Sequence, residues 1–365
     1  MRKVLALVAA VGLAATALPL VTAAPASAAG SLVFATYNVC GAKPNSGSCA
    51  TGAAPWEARR DKTQRVIAES GADVIGLQEV TNNPVQGAKT QVEDVTRLIA
   101  PSGYVPISVA DADNECRRPR DSAGQLAGPS PCETTAMLVY RPASVSVFQP
   151  PQGSATGRVM LQSIASGLDA GSASRSVEWA YLKGNNGAGP FLAIALHTDS
   201  DKSGAAEASR IAVASGLAGW VSLVNATRGM NGTPAILMAD LNSYAARQPN
   251  GAQKVLTNTG WLDSFNAKVK KNVQYPTINE NPANGQNGFP AAPYMFRPTK
   301  KNPKGYATRI DYIMGFGQGI TMVSYEHVMF LNGRAHNPDY QGSDHQMVRA
   351  TIALDPVSTA GMAST

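Results

Sequence analysis

Carboxylate and imidazole side chains stand at the ends of apolar stretches at several points of the chain. Glu79 ends the segment Val-Ile-Gly-Leu-Gln-Glu, Asp240 ends Ile-Leu-Met-Ala-Asp, and Asp344 precedes His345 in Gly-Ser-Asp-His-Gln. Carboxylate oxygens are ligands that Mg²⁺ prefers, and an imidazole can accept or donate a proton near neutral pH. These residue types predict metal-assisted hydrolysis, in which a cation neutralises phosphate charge and histidine acts as acid or base.

Four further polar residues belong to the same pattern. Asn38 follows Ala-Thr-Tyr, His197 follows Phe-Leu-Ala-Ile-Ala-Leu, Asp311 stands inside Arg-Ile-Asp-Tyr-Ile, and Asn242 lies two residues after Asp240. Because side chains alternate along a strand, this spacing predicts that Asp240 and Asn242 point the same way. Taken singly, each has an ordinary structural alternative, such as a turn for Asn38 or a satisfied structural group for His197.

The segments that must position these residues alternate between strands and helices. Nearly continuous apolar runs predict strands buried on both faces, and they are Leu32–Thr36, Asp73–Leu77, Ala136–Tyr140, Phe191–Leu196 and Ala235–Met238. Helical spacing of apolar residues predicts helices over Trp56–Ser70 and from about Ser203 to Val224. Tracts rich in Gly, Pro and Asn predict long surface loops at 41–55, 111–131 and 279–293, which could border a substrate groove.

The first residues predict a secretory signal peptide over residues 1–28. Arg2 and Lys3 precede an apolar run, and Ala-Ser-Ala at its far end fits a cleavage site. We therefore expect a secreted, extracellular, monomeric protein without a transmembrane segment, with one domain at 31–355 and a flexible tail at 356–365. Loss of Arg2 and Lys3 lowers the formal net charge from +6 to +4, which permits a polyanionic substrate without indicating one.

Four cysteines in an exported chain favour disulfides over metal ligands. Three pairings can be drawn for four cysteines. Cys40 with Cys49 and Cys116 with Cys132 are favoured, because each pair brackets a loop rich in Gly, Pro, Ser and Asn. A short crosslink of this kind stabilises a fold by roughly 2–3 kcal/mol. No Cys-x-x-Cys spacing occurs, which argues against a zinc knuckle.

The order and spacing of these motifs resemble the endonuclease/exonuclease/phosphatase family, whose best-known member is pancreatic deoxyribonuclease. The resemblance runs from about Leu32 to Leu354. It implies an α/β fold, a four-layer sandwich of two stacked mixed β-sheets flanked by helices. It also implies metal-dependent hydrolysis of phosphodiesters with Mg²⁺, for which Mn²⁺ or Ca²⁺ could substitute.

The resemblance assigns roles to two groups of side chains. The implied metal ligands are Asn38, Glu79 and Asp344, and the implied catalytic residues are His197, Asp240, Asn242, Asp311 and His345. The two histidines form the acid and base pair, and Asp311 orients His345. Asp240 binds or activates the attacking water, and Asn242 holds the phosphate. The choice of acid and base stays open, as does the alternative that Asp240 takes the proton from water. The other two histidines, His327 and His336, match no family position and are predicted to be surface groups.

Departures from pancreatic deoxyribonuclease affect substrate binding. Thr81 and Cys132 stand where those relatives carry an Arg and a Tyr that reach the minor groove, so these DNA contacts do not carry over. Thr134 has the spacing of the Glu that supports the first histidine in those relatives, so either a one-residue shift brings in the adjacent Glu133 or His197 has a different partner. Candidate phosphate-binding replacements lie in the loop between the last two cysteines, at Arg117, Arg118 and Arg120. A solvated run of charge is the alternative interpretation.

The sequence therefore predicts a secreted phosphodiesterase, with nucleic acid and especially DNA as the favoured substrate and endonuclease as the expected activity. The main alternative is a sphingomyelinase or phospholipase C of the same fold, which would act on phospholipid and need an exposed apolar hairpin for membrane contact. Another phosphoesterase of this fold, such as a phosphomonoesterase, is a further alternative. The alternative of another class is a binding protein on this fold that has lost catalysis. Retention of the whole residue set speaks against that alternative.

Overall fold

The computed structural model describes residues 30–42, 55–109, 114–115, 136–244, 251–278, 280–281, 286–287 and 293–356. Within them the chain forms two stacked sheets of seven strands each, labelled in chain order. The first sheet contains, in spatial order, β11 (Val269–Lys271), β15 (Ile320–His327), β18 (Val348–Leu354), β1 (Gly30–Asn38), β2 (Val74–Gln78), β4 (Ala136–Tyr140) and β3 (Val105–Pro106).

The second sheet has the order β10 (Leu262–Asp263), β14 (Asp311–Phe316), β9 (Ala235–Asp240), β8 (Pro190–His197), β7 (Ser176–Gly184) and β5 (Val145–Val147), with β6 (Thr156–Met160) also paired to β7. Two short hairpins stand apart, formed by β12 (Glu280–Asn281) with β13 (Gln286–Asn287) and by β16 (Leu331–Asn332) with β17 (Ala335–His336). Both large sheets are mixed, because β1 and β2 are parallel, as are β8 and β9, among antiparallel neighbours.

Helices cover the outer faces of the sheets. They are α1 (Trp56–Glu69), α2 (Gln91–Ile99), α3 (Ala170–Ala173), α4 (Gly204–Thr227) and α5 (Ala252–Asn258). Buried side chains of α1 and α2 pack on the first sheet, and those of α4 and α5 pack on the second. A further apolar cluster, which includes Phe34 and Ala193, fills the space between the sheets. The predicted four-layer sandwich is therefore confirmed, and the apolar runs are explained by burial on both faces.

The two predicted helices form close to their predicted bounds. The hydroxyl of Ser203 caps α4 by accepting a hydrogen bond from the backbone N–H of Ala206 at 3.2 Å. The helix continues three residues beyond the predicted end at Val224, to Thr227. Asn225 explains the extension, because its side chain bonds to the Tyr181 hydroxyl at 2.8 Å and to the Thr233 carbonyl at 2.9 Å. Such tertiary contacts leave no trace in the periodicity of the helix.

A glycine lets the two sheets approach closely beside the polar strand ends. A Cβ atom added at Gly76 of β2 would lie 2.7 Å from the Cβ of Met238 in β9. That distance is shorter than any ordinary carbon contact, so a larger residue would push the sheets apart. Gly76 and Met238 precede Glu79 and Asp240 by a few residues, and the close packing therefore sets the spacing of these carboxylates.

The prediction that His327 and His336 are surface groups is wrong. His327 is fully buried and His336 is 7% exposed. The Nδ1 atom of His327 lies 2.6 Å from the Tyr275 carbonyl, and its Nε2 atom lies 2.8 Å from the Tyr325 hydroxyl. A neutral imidazole with one donor and one acceptor is satisfied by these two partners, which is why this polar ring can be buried.

Several predictions concern residues outside the described ranges. They are the signal peptide at 1–28, the arginines at 117, 118 and 120, the cysteines at 49, 116 and 132, and the tail beyond residue 356. Cys40 is described and is bonded in a disulfide, but both predicted pairings stay predictions. In the part of the chain that the structure describes, no helix has the length and apolar character needed to cross a membrane.

Candidate active site

The predicted polar residues meet because the strands that carry them end at one edge of both sheets. In the first sheet, Asn38 at the end of β1 lies opposite Gln78 of the parallel strand β2, and Glu79 follows. In the second sheet, His197 at the end of β8 lies opposite Asp240 at the end of β9. Asp240 in turn lies opposite Asp311, the first residue of the antiparallel strand β14.

Asn38 links the two carboxylates that face each other across the sheets. Its Nδ2 atom donates to Glu79 Oε1 and to Asp240 Oδ2, each at 3.0 Å. Glu79 adopts a left-handed backbone with φ of 57°, which turns its side chain toward the cluster. The second Glu79 oxygen accepts the backbone N–H of Gly41 at 3.0 Å. The carboxylate of Glu79 is thus fixed at both oxygens before any ligand arrives.

Asp311 and His345 form a buried pair. The Nδ1 atom of His345 lies 3.0 and 3.1 Å from the two Asp311 oxygens. Burial disfavours charge on the imidazole, but the Asp311 carboxylate and its hydrogen bond outweigh it and raise the pKa of His345 well above its ordinary value. The other ring nitrogen, Nε2, lies 3.8 Å from Asp240 Oδ2. Asp311 therefore orients this imidazole toward Asp240.

Asp240 is fully buried among like and opposite charges. Burial first, and then the neighbouring Asp311 carboxylate, raise the pKa of Asp240 to about 7. The His345 charge and the hydrogen bond from Asn38 act in the opposite direction. A carboxyl group with this pKa can exchange protons near neutral pH.

His197 is held by a side chain that the sequence analysis did not identify. The guanidinium of Arg175 donates to the Nδ1 atom of His197 at 2.9 Å. The same guanidinium nitrogen lies 3.2 Å from Nε2, and because a guanidinium only donates, the ring nitrogen that it meets acts as the acceptor. Nε2 lies 3.5 Å from Asp240 Oδ2. Arg175 precedes β7 in a polar stretch without any apolar pattern, so no sequence signal marked it.

Asn242 reaches the site by a different route from the one predicted. The strand ends at Asp240, and Asn242 has a left-handed backbone with φ of 44°, so strand alternation does not apply to it. Its backbone N–H donates to Asp240 Oδ1 at 2.9 Å. The side-chain amide lies 3.0 Å from His197 Nε2 and 3.0 Å from the Thr198 carbonyl. A turn closed by Asp240, rather than a strand, brings this amide to the histidine.

Asp344 and the turn around it are tied to the end of β1. The buried guanidinium of Arg59 donates to the carbonyls of Val39 at 2.6 Å and Gly342 at 2.9 Å. Burial raises the pKa of Asp344, the neighbouring His345 charge lowers it, the Glu79 charge raises it and Arg59 lowers it. Arg59 therefore joins the two loops that carry predicted metal ligands. Its position inside an amphipathic helix gave no hint of this role.

Thr277 bonds both to the backbone at Asp311 and to the backbone beside His345. Its hydroxyl accepts the backbone N–H groups of Ile310 at 3.0 Å and Asp311 at 3.4 Å. Its carbonyl accepts the backbone N–H of Gln346 at 2.7 Å. One fully buried threonine thus links the strand that carries Asp311 with the segment that carries His345.

The donor set fits a divalent cation. Asp240, Asp311 and His345 offer ligand atoms within 4.8 Å of one another and form a candidate buried metal site. The predicted ligands Asn38 and Glu79 adjoin it through Asp240. The orientation of a carboxamide is assigned from its hydrogen bonds. The Asn38 oxygen accepts the backbone N–H of Cys40 at 2.9 Å, and its Nδ2 therefore faces Glu79 and Asp240.

The fold and the site together define a class, the phosphoesterases built on two stacked mixed sheets with a candidate metal site at the strand ends. The chain matches the model of the Endonuclease/Exonuclease/phosphatase family over residues 35–345 and belongs to that family. The predicted family is therefore confirmed. Comparison with the curated proteins gives no match.

Solved structures show the same fold at low sequence identity. A family protein from Bacteroides thetaiotaomicron is 19% identical, with a TM-score of 0.60 over 90% of this chain and 99% of that one. A mannosyl-6-phosphatase from the same organism is 19% identical, with a TM-score of 0.58 over 88% of this chain and 100% of its own. The human Nocturnin catalytic domain with bound sulfate is 14% identical, with a TM-score of 0.52 over 89% and 94%. At these identities the likeness establishes the fold and leaves the substrate open.

Proposed function

We propose that the protein is a secreted, metal-dependent phosphodiesterase that hydrolyses nucleic acid, with DNA as the favoured substrate and endonuclease as the expected activity. One observation carries the proposal. The Nε2 atoms of His197 and His345 lie 3.5 and 3.8 Å from the same oxygen of Asp240. Hydrolysis of a diester needs a group that takes a proton from water and a group that protonates the leaving alkoxide, and this arrangement supplies both.

The side chains divide this work according to the hydrogen bonds they make. Asp240 is the proposed base, because its buried carboxyl can accept a proton from water near neutral pH. His345 is the proposed acid, because Asp311 favours its protonated form. His197 lies beside Asp240 and the Asn242 amide and would contact the phosphate as the second member of the acid and base pair.

A divalent ion bound by Asn38, Glu79 and Asp344, with Asp240 adjacent, would supply charge neutralisation of the phosphate. Hydrogen bonds already hold these residues in position before an ion binds. Asn38 and the Gly41 N–H hold Glu79 in place, and Arg59 joins the loops of Asn38 and Asp344. The ligand oxygens are thereby brought together in advance, which limits the entropy lost when an ion binds.

Hydrolysis assays with four substrates test the proposal. Purified protein is incubated separately with plasmid DNA, RNA, sphingomyelin vesicles and bis-p-nitrophenyl phosphate, with and without chelator. We expect nicking of plasmid and hydrolysis of the chromogenic diester, both abolished by chelation and restored by Mg²⁺, Mn²⁺ or Ca²⁺. Hydrolysis of sphingomyelin alone would replace the nuclease proposal with the phospholipid alternative. Absence of all four activities with metal present would favour a binding protein.

A further inference from the structure

Two neighbouring segments of the chain carry a concentration of positive charge that the proposed chemistry does not use. Residues 267–275 and 293–307 together hold seven Lys and Arg side chains and no Asp or Glu. The whole chain has a net charge of +6, so its remaining residues sum to about −1. Positive charge gathered on one surface attracts polyanions and raises their local concentration.

Main-chain hydrogen bonds hold the two segments side by side. The N–H of Phe296 donates to the Gln274 carbonyl at 2.8 Å, and that of Ala307 donates to the Val273 carbonyl at 2.9 Å. Residues 293–307 are named the basic arm. Four cations of this arm are exposed, and they are Arg297, Lys300, Lys301 and Lys304. Across the ranges that the structure describes, none of the four forms an ion pair with a carboxylate.

The basic arm lies at the catalytic end of the molecule. β11 ends beside the end of β15 and leads directly into the segment that the arm contacts. That segment continues to Thr277, whose hydroxyl accepts the backbone N–H of Asp311 at 3.4 Å. Gln274 and Thr277 are three residues apart, a span of at most roughly 11 Å. The arm therefore adjoins the segment that supports Asp311 at the candidate site.

Aromatic side chains stand among the cations of the arm. Tyr294 is 42% exposed, and its ring packs edge-on against Phe296 at 5.0 Å between centroids. Exposed aromatic rings beside lysines are the combination that binds single-stranded nucleic acid, because bases stack on the rings while the cations contact phosphates. An anionic membrane would also attract the lysines, but it requires a broader apolar face than Tyr294 and the neighbouring Met295 provide.

We propose that the basic arm binds the single-stranded nucleic acid segment that continues from the phosphate being cleaved. Lys300 and Lys301 contact its phosphates, and Tyr294 stacks on one of its bases. The inference rests on the proposed phosphodiesterase function and extends it, since it names the strand form of the substrate that is held beside the active site and the surface that holds it.

Binding of a labelled single-stranded oligonucleotide in the presence of chelator tests the electrostatic part, because no turnover occurs. We expect Lys300→Ala/Lys301→Ala to weaken binding and to reduce the slope of log affinity against log salt by about 1.4, since each contact to a single strand contributes about 0.7. The matched control is Lys183→Ala/Lys254→Ala, which removes two exposed lysines outside the arm and should leave the slope nearly unchanged. Equal slopes in the two double variants would overturn the proposal.

Substitution of the tyrosine tests the stacking part. Tyr294→Ala should weaken oligonucleotide binding by about 5- to 150-fold, the measured range for loss of one stacked base. Tyr294→Phe keeps the ring and should bind like the wild type. If Tyr294→Ala binds as tightly as Tyr294→Phe, stacking is refuted.

Two parallel measurements distinguish a failure of this inference from a failure of the proposed function and from membrane binding. Hydrolysis of bis-p-nitrophenyl phosphate with Mg²⁺ reports the catalytic site alone, and we expect all arm variants to keep wild-type rates. Lack of that hydrolysis in the wild type would refute the proposed function, whereas unchanged oligonucleotide binding in the variants would refute the arm. Binding to phosphatidylserine vesicles that falls in the arm variants, without a fall in oligonucleotide binding, would assign the arm to a membrane.

Discussion

Asp240 is the residue on which the contacts of the site converge. Its Oδ2 atom lies 3.0 Å from Asn38, 3.5 Å from His197 and 3.8 Å from His345. A fully buried carboxylate in this position is costly unless positive charge or donors compensate it. A bound cation and a protonated His345 are the compensating charges available, so catalysis and metal binding share one group.

Glu79 and Asp240 should differ in what their loss does. Glu79→Gln removes a charged ligand at the edge of the cluster, so we expect activity to need a higher metal concentration and to recover largely at saturation. Asp240→Asn removes the proposed base, and we expect kcat to fall by roughly 10²–10⁴-fold at any metal concentration. Titration of each variant with Mg²⁺ against bis-p-nitrophenyl phosphate measures both effects. Recovery of Asp240→Asn at high Mg²⁺ would show that Asp240 acts as a ligand only.

The pair of Asp311 and His345 should appear in the pH profile. Because Asp311 raises the pKa of His345, the proposed acid stays protonated to higher pH than a free imidazole. In Asp311→Asn this support is lost, so the pKa of His345 falls and the alkaline limb of kcat/KM should move to lower pH. Glu79→Gln is the control, since it leaves the pair intact. An alkaline limb at the same pH in both variants would exclude His345 as the acid.

The sequence could predict polar residues at or near the ends of apolar strands, and all eight of them lie around the site, though their roles stay predictions. It could not predict the groups that hold them. Arg175, Arg59 and Thr277 make their contacts to residues at least 20 positions away. Polar side chains in loops and helices have many uses, and only the folded chain shows which one applies.

At the scale of elements, strands buried on both faces were predictable, whereas strands with buried charges were not. β7 carries Glu178, which is fully buried and paired with Arg158 of β6. A carboxylate within an apolar run hides the pattern of a core strand, because its partner comes from another strand. The pair adjoins two features of interest, since Arg175 directly precedes β7 and the Arg158 backbone pairs with residues 114 and 115, just before the loop that holds Arg117, Arg118 and Arg120.

Glu115 attaches the base of that loop to the catalytic sheet. Its carboxylate accepts the backbone N–H of Met160 at 2.8 Å and the Ser163 hydroxyl at 2.7 Å. Met160 pairs with Ser176, the residue after Arg175. The anchor therefore lies one strand away from the side chain that holds His197.

Removal of the arginines in this loop tests that role. Arg117→Ala/Arg118→Ala/Arg120→Ala should raise the apparent KM for plasmid DNA and flatten its salt dependence, by about 0.9 in slope for each lost contact to duplex phosphate. Hydrolysis of bis-p-nitrophenyl phosphate should not change. Glu115→Gln keeps the arginines but weakens the anchor, so we expect a smaller rise in KM with a slope close to that of the wild type. An unaltered slope in the triple variant would leave these arginines as a solvated run.

At the scale of the whole molecule, buried ionisable groups make stability depend on pH in two opposing ways. Burial lowers the pKa of His327 to about 3 and that of His336 to about 4. Below the ordinary histidine pKa of 6.5 the unfolded chain binds these protons and the folded chain does not, so each histidine lowers stability as pH falls. Asp240 has the opposite sign, because its folded-state pKa is raised and the folded chain keeps its proton longer.

Comparison of variants isolates the histidine effect from the carboxylate effect. His327→Gln can keep a donor toward the Tyr275 carbonyl and an acceptor toward the Tyr325 hydroxyl, but it does not titrate. We expect this variant to be less stable than the wild type at pH 7.5, since its side chain packs less well. Between pH 7.5 and pH 5 the wild type should lose about 2 kcal/mol through His327, because each unit below pKa 6.5 costs about 1.4 kcal/mol. The difference in unfolding free energy between the wild type and His327→Gln should therefore shrink by that amount.

Urea unfolding at the two pH values measures this difference. Lys183→Gln, which changes an exposed residue, is the control, and its unfolding free energy should change with pH as that of the wild type does. If the difference in unfolding free energy stays constant between the two pH values, His327 already carries a second proton in the folded protein. Both ring nitrogens would then donate, so the Tyr325 hydroxyl would have to accept a hydrogen bond from Nε2 instead of donating one to it.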